Sequence, residues 1–199
     1  CLEAFRNHLA DVAAGRREAT AVGGTGAGGS FGGLAVSDQV VAAAEQGDEA
    51  EVLAWLDGGG RADATYERGE VSGLTLLLGA AGNGQERVVE LLLQHGAEIN
   101  QQDSDGGTAL MRAAQDGHER VVELLLRLGA EIDKKRGVGF TALMLAAIGG
   151  HERMADLLLQ HGAQVDMQHG GGTTALMFAA SHGHQPVVEP LLQRAAQTN

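Results

Sequence analysis

The chain has 199 residues, with 26 acidic and 14 basic side chains, so that its formal net charge at pH 7 is −12. A field of this sign repels phosphate backbones and anionic lipid, which excludes nucleic acid and membrane surfaces as expected partners. The longest apolar runs, such as residues 91–93 and 124–126, are far shorter than the roughly 20 residues that span a bilayer. The single cysteine, Cys1, cannot form an intrachain disulfide, and we expect a reducing compartment, cytoplasmic or nuclear.

Residues 1–36 differ in kind from the rest of the chain. We predict a helix over residues 2–17 and a flexible linker over residues 21–33, where the sequence AVGGTGAGGSFGG offers little to bury. Because the chain begins with Cys1 and not with methionine, we expect it to be a fragment or a processed product.

Three glycines of this linker match the phosphate-binding pattern G-x-G-x-x-G. They are Gly24, Gly26 and Gly29. A dinucleotide site of this kind needs a strand before the glycines and alternating strands and helices after them, and a kinase loop needs a nearby lysine. The first lysine of the chain is Lys134. We therefore interpret the glycines as linker, and we expect no cofactor.

The first clear structural signal is a repeat with a fixed period of 33 residues. It is marked by Thr75, Thr108, Thr141 and Thr174, which begin the runs TLLLGAAGNG, TALMRAAQDG, TALMLAAIGG and TALMFAASHG. Such a period is typical of a solenoid, in which each repeat is one supersecondary unit. Neither helix of a unit reaches the roughly 12–15 residues of a marginally stable isolated helix, so neighbouring repeats must supply the burial.

Residues 106–133 illustrate how one unit is built. Thr108 is a suitable N-cap for a short first helix, and Gly117 can take the positive φ that ends it. A second helix over residues 119–128 is predicted to direct Leu125 inward. After it, Ile132 is interpreted as a buried plug in the loop that leads to a hairpin tip. One repeat is therefore predicted to be helix, turn, helix and finger, where the finger is the loop that joins it to the next repeat.

The same pattern makes residues 37–199 one domain, with about four clear repeats and a degenerate repeat before them. The predicted repeats cover residues 37–69, 73–105, 106–138, 139–171 and 172–199. In the first, Trp55 lies inside the second helix, and the distance from Gly47 to Gly84 is 37 residues in place of 33. The extra residues predict an enlarged finger over residues 66–70.

The repeated Gly-His, Val-Val-x-Leu-Leu-Leu and Gly-Ala elements resemble those of the ankyrin repeat family. Gly-His stands at residues 117–118, 150–151 and 183–184, and Gly-Ala at residues 96–97, 129–130 and 162–163. The resemblance implies an all-α solenoid of stacked helix-turn-helix units with hairpin-like fingers. It also implies a noncatalytic scaffold that binds other proteins along the finger tips and the concave face.

In that family the partner usually contacts the finger tips and the adjoining surface of the first helices. The corresponding residues here are Gln102, Ser104, Asp105, Arg112, Gln115, Asp116, Lys134, Lys135, Arg136, Val138, Ile148, Gln168, His169, Ser181 and His182. The basic cluster at residues 134–136 is either a solvated turn or the contact for an acidic peptide or loop, beside the apolar Val138 and Phe140.

Two sets of residues depart from the family pattern inside the repeats. The family's histidine in the first helix is replaced by methionine at Met111, Met144 and Met177, which predicts apolar packing in place of a hydrogen bond between repeats. The usual aspartate before the finger turn is replaced by Arg136 and by His169, so these two fingers should differ in their loop hydrogen bonding.

The last repeat departs further. Pro190 stands where the neighbouring repeats have leucine, and an interior proline costs about 3 kcal/mol or more unless the helix bends. Ala195 replaces the glycine that should close the second helix. We interpret this repeat as a cap or as a decayed repeat.

Other chemistry is less well supported by the residues. His182 and His184 suggest a metal site, but zinc usually needs four converging ligands, and we interpret His118, His151 and His184 as structural turn residues. No nucleophile with an adjacent base is recognisable, so we expect no metal and no catalysis. The alternative function is a targeting or autoinhibitory arm of a larger enzyme, such as a kinase or a ubiquitin ligase.

Overall fold

The computed structural model describes residues 35–198. The helix predicted at residues 2–17, the linker at residues 21–33 and the match to G-x-G-x-x-G lie outside the described residues. Within the described part, ten helices and one two-stranded hairpin follow one another. Their bounds are α1 (Asp38–Gln46), α2 (Glu49–Asp57), β1 (Thr65–Arg68), β2 (Val71–Thr75), α3 (Leu76–Gly82), α4 (Glu86–Gln94), α5 (Ala109–Asp116), α6 (Glu119–Arg127), α7 (Ala142–Gly149), α8 (Glu152–Gln160), α9 (Ala175–Ser181) and α10 (Gln185–Thr198).

The helices pair along the chain and stack in two rows. The first helices of the pairs, α1, α3, α5, α7 and α9, pack against one another and are called the inner helices. The second helices, α2, α4, α6, α8 and α10, form the outer row. The predicted all-α solenoid is therefore confirmed, and each helix packs against its partner in the pair and against helices of its own row.

The inner helices begin and end as the repeat predicts. At each of the four periodic threonines the backbone is extended and the hydroxyl accepts from the amide three residues later, at 3.3–3.4 Å. This bond satisfies one of the free N–H groups of the first turn. Gly117 and Gly150 end α5 and α7 with φ of 78° and 72°, a conformation that other residues resist. The predicted threonine caps and the break at Gly117 are confirmed.

The core lies between the two rows of helices. Leu125 of α6 is fully buried, as predicted, and so are Leu110 and Met111 of α5. Ala113 and Ala114 are also fully buried, and their small side chains let successive inner helices approach closely. Apolar packing in place of the family's histidine is therefore observed at Met111.

Histidines fasten successive repeats at the turn between the two helices of a pair. The Nε2 atoms of His118, His151 and His184 each lie 3.0 Å from a backbone carbonyl of the preceding repeat. Gln85, at the same place one repeat earlier, donates from Nε2 to the carbonyl of Glu45 at 2.9 Å. The prediction of structural turn histidines is confirmed, since these ring nitrogens are occupied in joining repeats.

Two loop predictions have opposite outcomes. The enlarged first finger is confirmed, because β1 and β2 pair as an antiparallel hairpin.

The prediction that Ile132 is a buried plug is wrong, since its side chain and that of Ile99 are only half-buried. Both lie in short loops at the surface, where solvent reaches one side of the side chain. Val165, at the same place in the next repeat, is buried.

The last repeat has an unusually long outer helix. α10 has 14 residues where α4, α6 and α8 have 9, and it continues through Pro190. Ala195 stands where the other outer helices are followed by glycine, so nothing in the local sequence ends the helix there. Pro190 has no N–H, which removes the intrahelical bond to the carbonyl of Pro186. Arg194 donates from Nη2 to the carbonyl of Leu159 in α8 at 2.8 Å and ties α10 to the preceding pair.

Candidate protein-binding surface

The fingers lie side by side along one edge of the described structure. The first finger is the β1–β2 hairpin, and the second, third and fourth fingers are residues 102–107, 135–140 and 168–173. One backbone amide of each later finger donates to a carbonyl of the finger before it. The bonds run from Ser104 N to Ser72 O (2.9 Å), from Gly137 N to Asp105 O (2.7 Å) and from Gly170 N to Val138 O (2.5 Å). These bonds recur every 33 residues and hold the finger tips in a row.

The fifteen residues predicted to contact a partner fall into an exposed set and a half-buried set. The exposed residues are Gln102, Ser104, Lys135, Val138, Gln168, Ser181 and His182. The half-buried residues are Asp105, Arg112, Gln115, Asp116, Lys134, Arg136, Ile148 and His169. The exposed set occupies the finger tips and the end of α9. Contact with a partner stays a prediction for all of them.

The three fingers after the hairpin close with the same backbone hydrogen bonds around different side chains. In each, the amide of the first turn residue donates to the carbonyl four residues later, at 2.9–3.1 Å. The turn residues are Asp103, Arg136 and His169, at intervals of 33. The loop geometry is thus set by the backbone, and the side chain at this position decides how the turn is stabilised.

Asp103 stabilises the second finger from inside. Its Oδ1 accepts from the amides of Asp105 (3.0 Å) and Gly107 (2.8 Å), and its Oδ2 pairs with Arg112 Nη2 at 2.5 Å. The Asp103 side chain is fully buried. Sequence reasoning did not select it as a site residue, although the family's aspartate before the turn was a usable signal. Charge-assisted bonds of this kind are about twice as strong as neutral ones.

Arg136 does not point to solvent from the third finger. Its Nη1 donates to Gln115 Oε1 at 3.3 Å, its Nη2 lies 3.8 Å from Asp105 Oδ2, and its side chain is 11% exposed. Burial, with a contribution from the charge of Arg112, lowers the pKa of the Arg136 guanidinium below its usual value. Asp103, Asp105, Arg112, Gln115 and Arg136 thus form one cluster, the concave polar network, which fastens two fingers to α5.

The structure separates the three residues of the predicted basic cluster. Arg136 belongs to the concave polar network, and Lys134 Nζ lies 3.4 Å from Glu131 Oε2. Lys135 is exposed. The local positive charge that a partner could reach is therefore carried mainly by Lys135, with Lys134 beside it.

In the fourth finger, aromatic rings pack around His169, whereas the second and third fingers have ion pairs. The His169 ring lies 5.1 Å from Phe140 and 5.3 Å from Phe178, and these two phenylalanine rings are 5.5 Å apart. These distances are typical of stabilising aromatic pairs. Phe140, His169 and Phe178 form the aromatic cluster, and Val138, 65% exposed, lies at the adjoining tip of the third finger. Sequence reasoning missed Phe178 because it lies inside a helical run of core residues.

The first finger has an ion pair of its own that the sequence did not reveal. Arg68 Nη1 donates to Glu45 Oε1 at 2.7 Å, and its guanidinium lies 5.8 Å from the centre of the Tyr66 ring. Burial raises the pKa of the Tyr66 hydroxyl to about 12. Glu45 is separated from Arg68 by an entire outer helix, so no local spacing rule would have paired them.

The end of α9 carries two histidines that sequence analysis considered for metal binding. Their rings stack at 6.0 Å, His182 Nδ1 lies 2.8 Å from the carbonyl of Phe178, and His184 Nε2 is engaged with α7. In the described residues, no three His, Cys, Asp or Glu side chains converge as metal ligands would. None of the described helices has the length and apolarity that crossing a membrane requires.

Stacked helix pairs with a row of hydrogen-bonded fingers define a repeat protein of the interaction-module class. A family model described as ankyrin repeats (3 copies) matches residues 40–136 and 129–199. The chain belongs to the ankyrin repeat family. Members of this family are typically noncatalytic and generally bind other proteins. Among curated proteins, none matches this chain closely enough to serve as a relative.

Proposed function

We propose that the repeat domain is a noncatalytic scaffold that binds a partner protein along its finger tips and concave face. The observation that carries the proposal is the row of backbone hydrogen bonds between successive fingers, at 2.5–2.9 Å. A surface ordered before binding loses less conformational entropy when the partner docks. The fingers therefore suit a role as a preformed docking edge.

The exposed and half-buried sets of predicted residues have different roles in this docking edge. The exposed set supplies contact groups, of which Lys135 and Val138 offer a charge and an apolar side chain on the same finger. The half-buried set holds that finger in place, with Arg136 tied to Gln115 and Asp105. We assign to Arg136 a supporting role, because its guanidinium is engaged with α5 and the second finger.

The partner chemistry that this finger favours is a short acidic segment next to an apolar side chain. The net charge of −12 opposes an acidic partner at long range, but surface charges are screened beyond about 8 Å at physiological ionic strength. At contact distance Lys135 supplies the positive charge of the third finger, Lys134 directly precedes it, and Val138 is exposed on the same finger. The acidic segment would accept charge-assisted hydrogen bonds from the lysines.

The test compares a finger variant with a matched outer-surface variant. Lys135→Glu with Val138→Ser changes the third finger, and Arg120→Glu with Leu128→Ser makes the same change of charge and apolarity on exposed residues of the α6 region. Proteins captured by the unaltered chain from its own source cells are quantified against each variant. We expect the finger variant to lose binding by about tenfold or more, and the outer variant to retain it.

Equal capture by all three chains would contradict the proposal. Loss of binding in the outer variant alone would place the partner on the outer helices and would contradict the assigned surface. Far-ultraviolet circular dichroism of both variants checks that the helices are intact, because all four substituted side chains are exposed and should not affect folding.

A further inference from the structure

The fourth finger is closed by a histidine where the second finger is closed by an aspartate. His169 Nδ1 accepts from the amides of Gly171 (3.2 Å) and Thr173 (3.3 Å). Asp103 Oδ1 accepts from the amides of Asp105 and Gly107, which stand at the same positions two repeats earlier. The imidazole nitrogen thus replaces a carboxylate oxygen as the acceptor at the centre of the turn.

The two acceptors respond differently to acid. A carboxylate keeps several acceptor lone pairs throughout the neutral and mildly acidic range, whereas imidazole has one acceptor nitrogen and only in its neutral form. With two amides donating to Nδ1, the proton of the neutral His169 ring must be on Nε2. Protonation of Nδ1 would turn the acceptor into a donor that faces two other donors. Histidine changes its charge between about pH 5 and pH 8.

The surroundings of His169 offer little that would stabilise its protonated form. The preceding finger and α9 pack against the ring through Phe140 and Phe178. The titratable or charged groups on these elements and on the loop itself are Lys134, Lys135, Arg136, His182 and Asp166. No ion pair within residues 35–198 includes His169, and the Arg136 guanidinium is engaged by Gln115 and Asp105. The phenylalanine rings could attract a cation weakly, but they cannot replace the two lost hydrogen bonds.

The sequence after His169 makes the finger dependent on those bonds. Residues 170–172 are three consecutive glycines, of which Gly172 has φ of 76°. Glycine has the largest conformational freedom of any residue, so a loop of three glycines orders only where specific contacts hold it. The second finger has two glycines and is also fastened by the pair between Asp103 and Arg112.

We propose that the fourth finger is a pH-dependent element, closed when His169 is neutral and released when His169 is protonated. Release would free the amides of Gly171 and Thr173 and loosen the bond from Gly170 to the third finger. The change belongs to the chain itself and needs no partner. For binding, the inference rests on the proposed function: a partner that contacts Val138 and Gln168 would be held less tightly at acid pH.

The experiment is amide hydrogen exchange of the full chain at pH 7.5 and pH 5.5, resolved by residue with NMR and corrected for the intrinsic dependence of exchange on pH. We expect protection of Gly171 and Thr173 to fall by about tenfold at pH 5.5. The amides of Asp105 and Gly107 are the internal control and should keep their protection. In His169→Asp, which restores the carboxylate, the fourth finger should behave like the second.

The outcomes separate this inference from the other possibilities. Unchanged protection of Gly171 and Thr173 in the unaltered chain would overturn it. The same loss in His169→Asp would also overturn it, because another group would then be titrating. His182→Gln tests the histidine that follows α9 and should leave the loss in place. Since no partner is present in the measurement, a failure of the proposed function would leave these results unchanged.

Discussion

The first helices of the third repeat and the last repeat have the same sequence pattern, but the two repeats differ in what covers them. In the third repeat, α5 and α6 have a helix pair on each side, and Met111 is 1% exposed. In the last repeat, α9 and α10 pack on α7 and α8, and no described element covers their other side. Met177, at the place of Met111, is 55% exposed as a result. The motif therefore specifies a helix pair, and the neighbours determine whether its apolar side chains become core.

The same contrast holds at the fingers. The second and third fingers are fastened by the concave polar network, in which each charge has a partner at 2.5–3.8 Å. The fourth finger, which leads into the last repeat, relies on a neutral histidine and the aromatic cluster. An unchanged backbone geometry is thus compatible with two kinds of stabilisation, and these should respond differently to substitution and to pH.

The largest effect is expected where a repeat is covered on both sides. Leu125→Ala removes a fully buried side chain from α6 and should lower the free energy of unfolding by about 2–5 kcal/mol, through lost burial and the cavity that remains. Urea denaturation followed by circular dichroism at 222 nm measures it. Leu192→Ala in the last repeat, where the side chain is 51% exposed, is the control and should cost about 0.5 kcal/mol or less. Because Leu191, and not Leu192, stands at the place of Leu125, equal losses would contradict the burial of Leu125 itself.

The next effect distinguishes the fingers. Asp103→Ala leaves Arg112 without its carboxylate and two amides without an acceptor, and should destabilise the chain by about 2–3 kcal/mol. The value is below that for a fully buried pair because Arg112 retains partial access to water. At pH 7.5, His169→Ala should cost about 1 kcal/mol, since it removes neutral bonds from a half-buried site. If His169→Ala were the more costly change, the ranking of the two fingers would be wrong.

The repeat period predicted much of this fold, and the reasons are local. The threonine caps, the glycine breaks and the turn histidines act within one repeat or between adjacent ones, so their spacing is visible in the sequence. The concave polar network was not predicted, because the pairing of Asp103 with Arg112 depends on how the finger folds back onto α5. The three cations at residues 134–136 are adjacent in sequence, yet the finger backbone directs Lys135 outward and Arg136 inward.

At Pro190, the local cost of an interior proline does not by itself determine where the helix ends. The cost of an interior proline leads to the interpretation of this repeat as a cap or a decayed repeat, and in the structure α10 continues through Pro190 to Thr198. Leu191 beside it is fully buried, and Arg194 one turn later is bonded to α8. These tertiary contacts come from the preceding pair and could not be inferred from the proline alone.

The only gain in stability is expected from restoring the missing hydrogen bond in the last repeat. Pro190→Leu supplies an N–H for the carbonyl of Pro186 and the leucine that the other outer helices have, and should raise the free energy of unfolding by about 1–2 kcal/mol. Pro186→Ala is the matched control, because Pro186 lies in the first turn of α10, where an N–H has no intrahelical acceptor. It should change stability by about 0.5 kcal/mol or less. If both substitutions gave the same small change, the missing bond at Pro190 would carry no cost, and weak coverage alone would distinguish the last repeat from the third.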